Sequence, residues 1–143
     1  MSVLDQAGNV RQGEELDLAV IKQYFDEIQP NIKGDVSITQ FPGGASNLTY
    51  QVSRAEQDFI LRRPPFGDIA KSAHDMLREA RIIKALKPVY PYVPEIISIC
   101  EDPSVLGCDF YVMEKLTGII PRQNMPKALT LDKEQARGLC LNV

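Results

Sequence analysis

An α+β domain, a five-stranded antiparallel sheet packed by one main helix, is the fold class the sequence predicts. Three observations carry it. Five short segments alternate or cluster apolar residues as strands do, short turns join the first three, and three segments place apolar residues at helical spacing.

The first 15 residues, "MSVLDQAGNVRQGEE", are polar and acidic, unlike a secretory leader, and are expected to be flexible. In "LDLAVIKQYFDEI", Leu18, Ile21, Phe25 and Ile28 recur at helical spacing, and Pro30 and Gly34 follow as stop signals. "VSITQF", "LTYQVS" and "FILRR" read as three strands of a meander. "SAHDMLREARIIKALKP" reads as the main helix, with Ser72 as its N-cap and Pro88 beyond its end. "IISICED" and "CDFYVME" supply two more strands, with "PSVLG" between them as a hairpin connection. Glu101 and Asp102, before Pro103, read as turn residues. In "LTLDKEQARGLCLNV" a further helix begins, with Asp132 and Glu134 suited to its first turn. Its apolar stripe of Ala136, Leu139, Cys140 and Val143 runs to the last residue without a C-cap, which predicts a piece of a longer chain. The expected division is a lobe over 16–116, followed over 117–143 by a connector and the start of a C-terminal helix.

A chain of 143 residues with a formal net charge of −3 suits one soluble domain. It carries no basic footprint for nucleic acid or an anionic membrane. No apolar run approaches membrane-spanning length. Cys100, Cys108 and Cys140 lack metal-site spacing and read as reduced, buried thiols in a cytoplasmic protein. The single histidine, His74, excludes a multi-histidine metal centre and reads as a surface or capping residue.

Two features exceed this ordinary picture. "FPGGASNLTYQV" places Gly43, Gly44, Ala45, Ser46 and Asn47 together before any bulky side chain, as a tight hairpin needs or as close approach of phosphate to backbone needs. In the main helix, Glu79 interrupts the apolar stripe of Met76, Ile83 and Leu86. A carboxylate there needs a cation, and Arg62 is the best partner: period-two alternation puts it on one face with Ile60, while Phe59 and Leu61 point the other way. If that pair is buried, Glu79→Ala should cost roughly 3–5 kcal/mol.

A glycine turn, a strand cation and a helix acid in this order resemble the N-terminal lobe of the aminoglycoside phosphotransferase and choline kinase-like family, of protein-kinase-like fold. "GGASNLTYQV", "FILRRPPFG", "KSAHDMLREARIIKAL", "VPEIISICED" and "CDFYVMEKLTG" carry the resemblance, from about residue 33 onward. It is nearest to the branch found alone or fused to acyl-CoA dehydrogenases. The resemblance implies ATP as cofactor, with Gly43 to Asn47 covering its phosphates, Arg62 gripping them and Glu79 holding Arg62. It implies Ile60 against the adenine and the backbone of Glu114, Lys115 and Leu116 at the adenine edge. The turn lacks the full GxGxxG spacing of protein kinases, and Arg62 stands where they have lysine. The family's HxD…N segment and metal-binding aspartate are not in this sequence, so no catalytic residue and no metal ligand is assigned here. Magnesium would be held by the C-terminal lobe, this chain alone would be inactive, and the acceptor would be a small hydroxyl-bearing molecule left unidentified. Two other readings stay open: a non-catalytic nucleotide-binding or interaction scaffold, and a structural domain whose glycines only turn a hairpin. Self-association of the isolated chain is a further expectation, through the face a second lobe would cover.

Overall fold

A computed structural model of the chain describes residues 4–43, 46–67, 75–120, 125–127 and 129–142. The predicted sheet is present, as β1 (Ser37–Gln40), β2 (Leu48–Arg54), β3 (Gln57–Arg63), β4 (Ile96–Cys100) and β5 (Phe110–Glu114). Every neighbouring pair is antiparallel, and the spatial order is β1-β2-β3-β5-β4. The last two strands are thus exchanged relative to a simple meander, and β5 lies beside β3.

Helices α1 (Leu18–Ile28), α2 (Met76–Leu86) and α4 (Lys133–Leu141) correspond to the three expected ones. A single turn, α3 (Pro103–Leu106), occupies the connection read as a plain hairpin. Asp102 caps it by accepting from the Ser104 N–H at 2.9 Å, and Gly107 closes it at φ 74°, a left-handed conformation that favours glycine. The β2–β3 turn is tighter still, with both Ala55 and Glu56 in the left-handed region at φ 48° and 64°. That geometry matches the twist of the flanking strands.

The main helix begins later than its sequence suggests. Asp75, rather than Ser72, is the N-cap of α2, accepting from the Arg78 N–H at 2.8 Å. Ser72 and His74 lie outside the described residues. The stripe also differs: Met76 and Ala80 are buried and Ile83 packs beside them, but Leu86 is exposed. Ala80, one residue after Glu79, takes the central place because the helix lies close to the sheet.

Strand alternation sorts the sheet into two faces. Leu48, Tyr50 and Val52 of β2, Phe59 and Leu61 of β3, and Phe110 and Val112 of β5 form the larger core with Ile21, Tyr24 and Phe25 of α1. Tyr111 of β5 points the other way and packs with Met76 and Ala80, flanked by Ile83, Ile96, Ile99 and Met113. The sheet therefore carries a helix on each face, and the larger core lies under α1 rather than under α2. A short apolar stripe on α1 could not reveal this, because amphipathicity marks which side of a helix is buried but not how much it covers.

Polar groups fasten α1 to the sheet. Tyr24 shares a hydrogen bond with Ser98 of β4 at 2.6 Å, and burial pushes its hydroxyl up to about 12. Arg54, wholly buried at the end of β2, donates to Asp26 and holds that carboxyl below the usual carboxylate range.

Within the stretch expected to be flexible, Gly8 and Glu14 make specific contacts. Gly8 forms a two-way backbone bridge with Gln40, at 2.8 and 2.9 Å. The Tyr50 hydroxyl donates to the Glu14 carbonyl at 2.7 Å.

The chain divides into two compact units, Gln6–Leu116 and a second made of Met1–Asp5 with Thr117–Val143. In the second, Asp132 and Gln135 close a capping box at the start of α4. Asn142 occupies its C-cap. The expected stripe is not buried: Ala136 is half-buried and Leu139 and Cys140 are exposed. All three cysteines are free, with Cys100 buried, Cys108 intermediate and Cys140 exposed, so the expected burial holds in full for Cys100 alone. Among the described residues no helix is long and apolar enough to cross a membrane.

Candidate functional site

The α2 side of the sheet collects the charged and polar residues singled out above. Arg62 sits in β3 between Thr49 of β2 and Tyr111 of β5 in the pairing register. Its pleat points it away from the Phe59–Leu61 core and toward α2. Glu79, one turn into α2, meets it: Arg62 Nη1 lies 2.5 Å from Glu79 Oε1. The predicted pair is formed.

The condition of burial set for the larger stability cost is only partly met. The two side chains remain 28% and 30% exposed. What lies beneath them is buried: Tyr111 is 0% exposed and its hydroxyl donates to the same Glu79 Oε1 at 2.6 Å. Burial, and then the bond to Glu79, push the tyrosine hydroxyl well above its ordinary range, so it remains a donor. Asn47, at the end of the glycine turn, places Nδ2 3.5 Å from Glu79 Oε2. One carboxylate thus joins a strand cation, a buried phenol and the turn. The Arg62 Nε is buried without a hydrogen-bond partner among the described residues.

Tyr111 is the residue that the sequence did not disclose. In "CDFYVME" its alternation reads as core, and it is core. Only the register that sets it opposite Arg62 shows that its hydroxyl has a charged partner. The exposure of the pair also lowers the expected effect of Glu79→Ala. We expect a loss of about 2 kcal/mol in urea unfolding, mostly from the buried Tyr111 hydroxyl left without an acceptor, rather than the larger cost of breaking a fully buried pair. Glu79→Gln, which keeps an acceptor oxygen, should recover most of it.

The remaining sequence-predicted residues are placed as follows. Gly43 is half-buried, Ser46 is exposed, and Gly44 and Ala45 lie outside the described residues. Ile60 shares the Arg62 face but is only 6% exposed, which leaves it little surface for a base. Its cross-strand neighbours Gln51 and Met113 are more open and share that wall. At the connector, the Glu114 backbone N–H donates to the Glu95 carbonyl at 2.9 Å. The Glu114 side chain accepts from Lys87 at 3.3 Å and from the Glu95 N–H at 2.8 Å. The N–H of Glu114 is therefore committed to the sheet. Lys115 pairs with Asp58 at 2.9 Å, and Ser53 together with Lys115 holds the Asp58 carboxyl below its usual range. Leu116 is 54% exposed. Glu101 pairs with Arg81 on the surface at 2.7 Å, as a turn residue can. Among the described residues no group of three or more His, Cys, Asp or Glu side chains could hold a metal ion.

Comparison with known proteins identifies the family and the fold. Residues 37–141 match the model of the "Phosphotransferase enzyme family". The chain is 37% identical over 109 residues to acyl-CoA dehydrogenase family member 10 of Mus musculus, covering 76% of this chain and 10% of that protein. It is 35% identical over 104 residues to acyl-CoA dehydrogenase family member 11 of Homo sapiens, covering 73% and 13%. A crystal structure from Ralstonia eutropha JMP134, of a protein assigned to the aminoglycoside phosphotransferases, superposes with a TM-score of 0.61 at 28% identity. That match covers 73% of this chain and 29% of the solved one. The chain thus spans only a small part of the relatives it matches. With most of its length matched, at residues 37–141, the chain belongs to the phosphotransferase enzyme family.

Proposed function

We propose that this chain is the ATP-binding lobe of a small-molecule kinase, which transfers the γ-phosphate of ATP to a hydroxyl group. The observation that carries the reading is the Arg62–Glu79–Tyr111 cluster beside the glycine turn, within the span matched by the family. The donor set fits a polyphosphate. The part-exposed Arg62 guanidinium offers charged donors to phosphate oxygens, and the turn offers backbone N–H groups and the exposed Ser46 hydroxyl.

In this reading Arg62 positions the α- and β-phosphates, and Glu79 and Tyr111 fix Arg62. Ser46 and the N–H groups of Gly43 to Asn47 cover the β- and γ-phosphates. Gln51 and Met113 join Ile60 as the wall against the base, and Lys115 and Leu116 meet its edge in place of the committed Glu114 N–H. Magnesium accompanies the nucleotide, and its ligands, like the groups that orient the acceptor hydroxyl, come from outside these 143 residues. The chain alone is then inactive. A cytoplasmic location suits the three free thiols.

Titrating the intact protein with ATP and magnesium, while following amide hydrogen exchange over residues 43–47, tests this. Slower exchange there on addition of millimolar nucleotide is the expected result. No change would leave the glycines as a plain hairpin and overturn the reading.

A further inference from the structure

Gln40 is the last residue of β1 and the first step into the glycine turn. It is an edge residue, yet it is 2% exposed. The residues that bury it are Gly8 to Glu14, which precede the span matched by the family. Four contacts converge on this glutamine. Its backbone N–H and carbonyl both bridge to Gly8. Its side-chain oxygen accepts from the Arg11 N–H at 2.8 Å, and its side-chain amide donates to Glu14 Oε2 at 2.6 Å. Both ends of the side chain are thus satisfied by one segment, on both sides of a backbone bridge.

The segment is itself anchored. Arg11 Nε lies 2.7 Å from Glu14 Oε2, and Tyr50, cross-strand from Gln40, donates to the Glu14 carbonyl. The Gln40 amide, and then Arg11, hold the Glu14 carboxyl below the usual carboxylate range, so it stays an acceptor near neutral pH. Beyond Gln40, the Phe41 N–H closes the stem of the turn on the Thr49 carbonyl at 3.0 Å. Arg11 Nη1 reaches the Pro42 carbonyl at 3.5 Å. A four-residue edge strand that leads into a glycine turn would fray on its own. Here its last residue is clamped from outside.

We infer that residues 8–14 form a strap that fixes the stem of the glycine turn through Gln40, making Gln40 a positioning residue for nucleotide binding. This rests on the nucleotide reading above. The physical reason is preorganisation: a turn held in its binding geometry does not lose that order again when phosphate arrives. Glycines lower the steric barrier to close approach but raise the entropy of the free turn, and the strap offsets that second effect without adding bulk to the turn.

The test uses the intact protein and two readouts. In Gln40→Ala, without nucleotide, exchange of the Phe41 amide should speed up by about tenfold, while that of Val112 in the central β5 stays at the wild-type rate. Affinity for Mg–ATP should fall by about tenfold. Should Gln40→Ala not fold, Glu14→Ala removes the acceptor that the Gln40 amide shares with Arg11 Nε and should shift both readouts in the same direction. Glu14→Gln keeps an acceptor oxygen and should restore them. Unchanged Phe41 exchange overturns the strap, and faster exchange with wild-type ATP affinity overturns the role of Gln40 in positioning the turn for nucleotide. Wild-type protein that binds no Mg–ATP refutes the nucleotide reading itself. A wild type that binds beside a Gln40→Ala that binds equally well refutes only the role of Gln40.

Discussion

Replacing Arg62 with alanine is expected to weaken Mg–ATP binding to the intact protein by about ten- to a hundredfold, as the loss of charge-assisted hydrogen bonds worth about 1.5–3 kcal/mol implies. Unfolding should hardly respond. The Arg62–Glu79 pair is part-exposed, and Glu79 keeps its bond to Tyr111 when the guanidinium is gone, so the change in stability should stay within about 1 kcal/mol. The separation of the two effects is the informative part. Arg62→Lys restores a charge but not the planar fork, and should fall between wild type and alanine. Isothermal titration with a parallel urea melt measures both quantities. Equal affinity in wild type and Arg62→Ala would remove the strand cation from the proposed site and leave it a structural partner of α2.

The second large effect lies on the opposite face. Phe25 of α1 is 0% exposed and its ring meets Phe59 edge-on, with centroids 5.3 Å apart. Phe25→Ala should destabilise the domain by about 3–5 kcal/mol, the usual cost of emptying an aromatic site in a packed core. Leu18, on the same helix, is 54% exposed, and Leu18→Ala should change stability by less than about 0.5 kcal/mol. The contrast, read by urea denaturation, tests whether α1 is integral to the lobe or a detachable appendage. A Phe25→Ala cost below about 1 kcal/mol would make it the latter.

How far the sequence was legible can be judged from these same residues. Alternation in "FILRR" separated Phe59 and Leu61 from Ile60 and Arg62, because a pleated strand permits no other division. An acid amid an apolar stripe pointed from Glu79 to a cation, because the penalty for an unpaired charge holds whatever the fold. Both inferences rest on local geometry or a strong energetic rule. The misses are of another kind. Tyr111 acquires its role from standing opposite Arg62, which depends on β5 rather than β4 lying beside β3. Sequence order gave no reason to prefer that exchange. The weight carried by α1 depends on which face it covers, and the contacts of residues 8–14 depend on an edge strand finding them. A polar, acidic stretch carries no periodicity to announce such pairing. Helix α2 starts at Met76 because Asp75 caps it, and Ser72 was an equally good candidate by residue type alone.

The alternation of β3 has a consequence for how such a lobe can change over generations. Phe59 and Leu61 belong to the core under α1, and Arg62 between Leu61 and Arg63 belongs to the charged cluster. Substitutions on one side leave the other side's geometry in place, so the two can drift almost independently. Loss or gain of a single residue within β3 would turn the guanidinium into the apolar layer and bring a core side chain up beneath Glu79. The strand therefore tolerates changes of letter far better than changes of length, and insertions are best accommodated in the connections, such as the stretch between β4 and β5.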